Sequence, residues 1–309
     1  MPSLESAASG AVVADALAAP ERNIPGLTPS LKRHLRALFW LLSALSPALA
    51  ARLAVRLFTR PRARALSAQD KKFLASAMSR RLPTARGDIQ LYEWPGTGPA
   101  VLILHGWISH AARLREVIEC LSARGLRVTA FDAPAHGRSA GRELDLHRYR
   151  EALSAVNSAC APIGAVLAHS FGALTAVSWL AEGPAAPSLR AAVLIGLPRD
   201  VGYLFDSFTM AMGLAPEVIE RTRSLFRVRY GSDPEDYCAR QLARRIHVPV
   251  LLVHGGADEF VPAEHSEEVA LSLADGRLLV APALSHSGPL RDPVTVQLMV
   301  DFIADHVRA

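Results

Sequence analysis

Apolar residues along this 309-residue chain fall into two rhythms, and the change from one to the other divides it. Residues 1–27 show little pattern and are rich in Ala, Ser, Gly and Pro, which predicts a mobile tail. Thr28-Pro29 and Ser46-Pro47 then repeat one device, a hydroxyl N-cap followed by proline at the first helical position. The first helix so predicted carries Leu31, Leu35, Leu38, Leu42 and Leu45 along one side. The second sets Leu49, Leu53 and Leu57 against Arg52, Arg56 and Arg60. Ser67 and Asp70 have capping-box spacing and predict a third helix. Residues 28–81 therefore read as an N-terminal helical extension.

From residue 82 onward short apolar runs alternate with helical spacing. Two short strands flank a turn at Arg86-Gly87-Asp88, the second including Ile89, Leu91 and Tyr92, and Ala100–Leu104 is a buried strand ending in His105-Gly106-Trp107. Helices are expected near 111–124 and 147–159, and strands near 127–131, 191–195, 248–254 and 277–281, with helices after the last two. Such alternation implies right-handed crossovers and a mostly parallel sheet with helices on both faces, so that ligands bind at the carboxyl ends of the strands. About 50 residues with helical character, 198–246, interrupt the rhythm. They exceed an ordinary connection and predict a cap over that edge.

Composition narrows the class of protein. Half of the residues are apolar and the formal charge is +5, but much of the excess lies before residue 87. No zinc-finger or RNA-binding signature accompanies it, so no nucleic-acid partner is expected. Cys120, Cys160 and Cys238 are odd in number and far apart, which fits a reducing compartment rather than a disulfide framework. The first residues lack a basic region followed by an apolar core, so a cytoplasmic location is the simple expectation. Residues 37–51 carry no charge, yet that stretch contains Pro47 and falls short of the roughly 20 residues that span a bilayer. The leucine face and arginines of residues 29–60 suit either packing on the following domain or peripheral contact with a membrane.

Candidate chemistry begins at Gly164–Gly172. Ala165-Val166-Leu167 suits a strand buried on both faces, residues 172–181 have helical spacing, and Ser170 sits in the sharp turn between them. Two later strand ends carry His254-Gly-Gly-Ala-Asp258-Glu-Phe-Val-Pro262 and Leu284-Ser-His286. A serine hydroxyl is a poor nucleophile until an imidazole takes its proton, and the imidazole needs a carboxylate to fix its tautomer. His105, His136, His169 and His254 show no recurring metal-ligand spacing, so no metal is expected. Asp132 is read as a brace for the Gly137 turn, and Asp200, after the preceding strand, stands as the alternative acid. Phe205, Phe208, Met210 and Met212 suit either the core of the cap or the lining of an acyl pocket.

The motifs His105-Gly-Trp107, Phe131-Asp-Ala-Pro-Ala-His-Gly137-Arg-Ser139, the Ser170 turn, the Asp258 loop and His286 together resemble the α/β-hydrolase fold superfamily over roughly residues 82–306, specifically its esterase/lipase-like branch. The resemblance implies Ser170 as nucleophile, Asp258 as acid and His286 as base, with an oxyanion hole formed by the backbone N–H groups of Trp107 and Phe171. Two departures stand out: Ala168 replaces the first glycine of G-x-S-x-G, and Ser285 stands where relatives often have glycine. The implied fold class is α/β, an α/β-hydrolase domain over 82–309 with its cap. The implied activity is cofactor-free cleavage of a small carboxylic ester with an apolar acyl group. A thioesterase or acyltransferase using the same triad, or a non-catalytic binding protein on the same fold, are the alternatives. Acyl length and oligomeric state are not encoded in any motif.

Overall fold

The structure is a computed structural model that describes residue 24 and residues 26–62, 64–182 and 188–307. The tail expected over 1–27 lies outside the described residues except at its end. There Ile24 and Leu27 pack against a hydrophobic cluster.

Eight strands form one sheet in the order β1-β2-β4-β3-β5-β6-β7-β8. They are β1 Met78–Leu82, β2 Ile89–Trp94, β3 Thr97–Leu104, β4 Leu126–Phe131, β5 Ile163–His169, β6 Ala191–Ile195, β7 Val250–Gly255 and β8 Gly276–Ala281. β1 and β2 pair antiparallel at one edge, and every pairing from β4 to β8 is parallel. β3 begins three residues earlier than the apolar run predicts, because Thr97 already pairs with Leu126 ahead of an irregularity in the ladder. All residues of β5 and β6 are buried, as a central parallel strand covered on both faces requires.

Helices cover both faces. On one side α5 (Leu146–Cys160), α6 (Phe171–Glu182) and α9 (Ala239–Ala243) bury Tyr149, Leu174 and Leu242 against Leu102, Val166 and Leu252. On the other α4 (Arg115–Ala123) and α10 (Pro293–Val307) bury Ile118 and Ile303 against Val101, Ile103 and Val253. α3 (Ala68–Leu74) starts at the Ser67–Asp70 capping box and adds Phe73, stacked on Trp94 at 5.2 Å. α3 and β1 thus belong to the sheet's own body, so the boundary expected at residue 82 falls too late. The alternation that reveals a sheet is missing from β1, an edge strand with four exposed residues.

The insertion between β6 and β7 is helical, with α7 (Val201–Met212), α8 (Pro216–Tyr230) and α9. Against it lies the hairpin of α1 (Pro29–Leu45) and α2 (Pro47–Thr59), capped by the Thr28 and Ser46 side chains as their sequence predicts. The leucine stripes are buried only in part, with Leu35, Leu42, Leu53 and Leu57 packed beside a fully buried face of other residues. Phe39, Ala50, Ala51 and Ala54 meet Phe208, Ala211, Met212 and Val218, while Leu38, Leu45 and Leu49 are exposed. Small residues let α2 approach the insertion closely, and that need, absent from any single-helix pattern, selects the alanine face. Arg60 also leaves the expected arginine stripe, since its guanidinium pairs with Glu143 at 3.0 Å. No described helix is long and apolar enough to cross a membrane.

Candidate active site

The chain leaves β5 and enters α6 in a single residue, Ser170, whose φ is +56°. A non-glycine residue rarely holds that left-handed conformation, and it persists here because its backbone is tied on both sides. Its N–H donates to Ile195 O at 2.8 Å, and its carbonyl accepts from Ala173 and Leu174 at the start of α6. Space around the turn is made by glycines. A Cβ on Gly172 would lie 2.5 Å from the His105 carbonyl oxygen, and one on Gly106 would lie 2.9 Å from the Ser170 Cβ. Ala168, by contrast, is a strand residue of β5, fully buried, and its methyl group is accommodated.

The loops after β7 and β8 bring Asp258 and His286 together. His286 Nδ1 lies 2.6 Å from Asp258 Oδ2, a carboxylate almost wholly removed from solvent. Asp258 Oδ1 accepts the N–H groups of Phe260 and Val261 at 2.8 and 2.9 Å. Burial is the largest influence on this acid and opposes ionisation. The hydrogen bonds from His254 and His286, the His286 charge and the Val261 N–H together outweigh it and hold the carboxyl well below the usual range. With Asp258 ionised, Nδ1 of His286 carries the proton and Nε2 is left to accept one. Ser170 and His286 line the same cavity. Gly196, at the end of β6 with φ +57°, lies directly against this pair, since a Cβ there would sit 3.0 Å from His286 Cε1.

Asp200, the alternative acid, does something else. It caps α7, accepting the Tyr203 N–H at 2.5 Å and pairing with Arg199. Asp132 braces its turn as expected, taking N–H groups from Ala111 and Arg138 at 2.9 Å and the Tyr92 hydroxyl at 3.0 Å. Gly137 is obligatory beside it, with φ +51° and a Cβ position only 2.1 Å from Asp132 Oδ2.

The histidines His105, His136, His169 and His254 are each held by protein groups. His105 Nε2 accepts the Ala133 N–H at 2.9 Å, and His136 Nε2 accepts the Ile108 N–H at 3.1 Å. His169 Nε2 donates to the His286 carbonyl at 3.1 Å, and His254 bonds Ser266 and Val261 at 2.7 and 2.9 Å. Burial drives the imidazoles of His105, His136 and His169 down to about 4, 3 and 3, so they are neutral at pH 7. His136 also steadies the His105–Trp107 loop, for the Trp107 ring meets it at 5.7 Å and meets Phe171 at the same distance, edge to face. Trp107 and Phe171, the expected oxyanion donors, both line the cavity with Ser170. Phe171 opens α6, where a backbone N–H has no intrahelical acceptor.

That cavity measures about 410 Å³ and is mostly apolar. The insertion contributes Phe208 and Met212, and the Tyr203 hydroxyl ties α7 to the acid loop through Phe260 O at 2.8 Å. Of the four residues read as either core or lining, Phe208 and Met212 face the cavity, Phe205 is buried and Met210 is 41% exposed. The N-terminal segment also supplies a wall, through Ile24, Leu31, Leu35 and Phe58. No motif flagged that contribution.

Comparison with known proteins agrees with this architecture. A family model described as serine aminopeptidase, S33, matches residues 97–224. The chain is 27% identical to a monoacylglycerol lipase of Mycolicibacterium smegmatis, over 62% of this chain and 83% of that protein. It is 24% identical to a bifunctional esterase/perhydrolase of Acinetobacter calcoaceticus, over 68% and 93% respectively. Among solved structures, alpha/beta hydrolase domain-containing protein 10 from mouse superposes with a TM-score of 0.58 at 18% identity, covering 75% of this chain and 99% of that one. With the parallel sheet, the turn at Ser170 and the loops after β7 and β8, the chain has the α/β-hydrolase fold and is similar in sequence to its esterase- and lipase-like members.

Proposed function

We propose that this ester-cleaving hydrolase works through an acyl-enzyme on Ser170, with His286 as base and Asp258 as the acid that orients it. The observation that carries the reading is the 2.6 Å contact of a buried, ionised Asp258 with His286, which lines the same cavity as Ser170. In the acylation step His286 Nε2 takes the Ser170 proton as the oxygen attacks the ester carbonyl, and then passes it to the departing alcohol. Water, activated by the same nitrogen, releases the acid. Negative charge on the carbonyl oxygen is met by the Trp107 and Phe171 N–H groups, one such donor being worth on the order of 3 kcal/mol.

The apolar cavity favours an ester with an apolar acyl group. Relatives named as a monoacylglycerol lipase and an esterase/perhydrolase support an ester as the substrate. Phe208, at the cavity wall and 9% exposed, is the acyl-pocket candidate on the insertion. Contact of residues 29–60 with a membrane would bring such esters to the site.

Initial rates on p-nitrophenyl esters of increasing acyl length test the reading. Turnover is expected, with Phe208→Ala raising KM for long chains more than for acetate. Equal effects on both would remove Phe208 from the acyl pocket, and no turnover of any ester would remove the activity.

A further inference from the structure

The α1–α2 hairpin leaves large apolar side chains in solvent at its tip: Trp40 is 75% exposed, Leu45 73%, Leu49 52% and Leu41 49%. No residue from 37 to 51 is charged, and no Asp or Glu occurs anywhere from Arg22 to Gln69, a stretch that holds nine Lys and Arg. The arrangement on the helices is ordered. Leu49, Arg52 and Arg56 are exposed at spacings of three and four, hence on one face of α2, and the arginines stand about 4.5 and 10 Å farther from the tip at 1.5 Å per residue. On α1 the exposed Arg33, Ala37, Trp40 and Leu41 share a face in the same way, with Arg33 about 10 to 12 Å behind Trp40 and Leu41. Each leg therefore has an apolar end and a basic collar.

We infer that this tip docks on an anionic lipid bilayer. An apolar surface that enters the headgroup and acyl boundary by about 5–10 Å places residues one to two turns behind it at the depth of the phosphates. Tryptophan suits that boundary, having an apolar ring and a polar N–H. Self-association through the same face would set two basic collars against each other, which disfavours a second copy as the occupant.

The hairpin also joins the surface to the cavity. Leu31 and Leu35 line the cavity, and Leu38, Leu42 and Leu45 continue their row at intervals of three and four, with Leu38 and Leu45 exposed. This row is a path for an acyl chain from bilayer to Ser170. The path rests on the ester-hydrolase reading, whereas docking does not.

Vesicle flotation of the full chain tests docking. Binding to phosphatidylcholine–phosphatidylglycerol vesicles is expected at low salt, with little on phosphatidylcholine alone and a loss on adding sodium chloride. Arg33→Gln/Arg52→Gln/Arg56→Gln should weaken binding by roughly a hundredfold, at about fivefold per charge. Trp40→Gln/Leu41→Gln/Leu49→Gln should abolish it while leaving p-nitrophenyl acetate turnover unchanged. Melting temperature shows whether each variant is folded, and if one is not, the other decides. Absence of wild-type flotation on anionic vesicles, equal binding to neutral ones, or full binding by a folded variant overturns the proposal. So does a dimer in light scattering that the tip substitutions dissolve without any vesicle binding. If vesicles bind but no soluble ester is turned over, docking stands and the ester reading fails.

Discussion

His254 Nε2 lies 3.2 Å from Asp258 Oδ2, the same oxygen that His286 Nδ1 meets at 2.6 Å. His254 is fully buried and is fixed in turn by Ser266 and Val261. The carboxylate is thus held from two sides, and in the proposed mechanism His254 would act only through Asp258. Replacing it by Leu leaves the Ser266 hydroxyl and the carboxylate short of a partner, each worth about 1–3 kcal/mol when buried. We expect a lower melting temperature and a kcat reduced about tenfold with KM nearly unchanged, the pattern of a positioning residue. A variant that loses stability but keeps its full kcat would reduce His254 to a packing role.

The two aspartates at strand ends separate cleanly. Asp258→Asn removes the charge that orients and stabilises the imidazolium, and kcat should fall by roughly three to four orders of magnitude. Asp200→Asn keeps a good N-cap for α7, so both kcat and stability should change little. Steady-state kinetics on one soluble ester ranks them, and the reverse ranking would move the acid to Asp200.

Acid should destabilise the fold before it reaches the carboxylates. His105, His136 and His169 have folded pKa values near 4, 3 and 3 against an ordinary value near 6.5, because burial penalises their charged forms. Their folded values are lowered, so the unfolded chain takes up protons first as pH falls. The stability they confer is complete above about pH 6.5 and is lost progressively toward pH 3–4, by about 1.4 kcal/mol per pH unit for each. Asp258, lowered by its histidine partners, adds a further loss below about pH 4. Melting temperatures should therefore fall by on the order of 10 °C between pH 7 and pH 5. A flat profile over that interval would mean these imidazoles are not held neutral.

How far the sequence discloses such a site depends on whether the cause is local. Ser170 is legible as a candidate because a buried strand and a helix meet around it, and Asp258 and His286 because each follows a strand. Gly196 does not, although it lies against the His286–Asp258 pair, since its reason is a contact with a loop some 90 residues later in the chain. The same holds for the hairpin. Helical spacing gives its two caps correctly, yet which residues are fully buried is decided by the insertion it packs on: Phe39 and the alanines are, with Leu35, Leu42, Leu53 and Leu57 partly buried beside them. Ile24 has no pattern around it at all, and it reaches the cavity only because the hairpin folds back over the sheet edge.

The most direct measurement of the central claim is covalent capture. Incubation with a fluorophosphonate probe, digestion and mass spectrometry should place a single adduct on the peptide carrying Ser170. Labelling should be lost in Ser170→Ala, whose fold should be intact because a hydroxyl in a turn contributes little stability. An adduct on another residue, or full ester turnover by Ser170→Ala, would contradict the account.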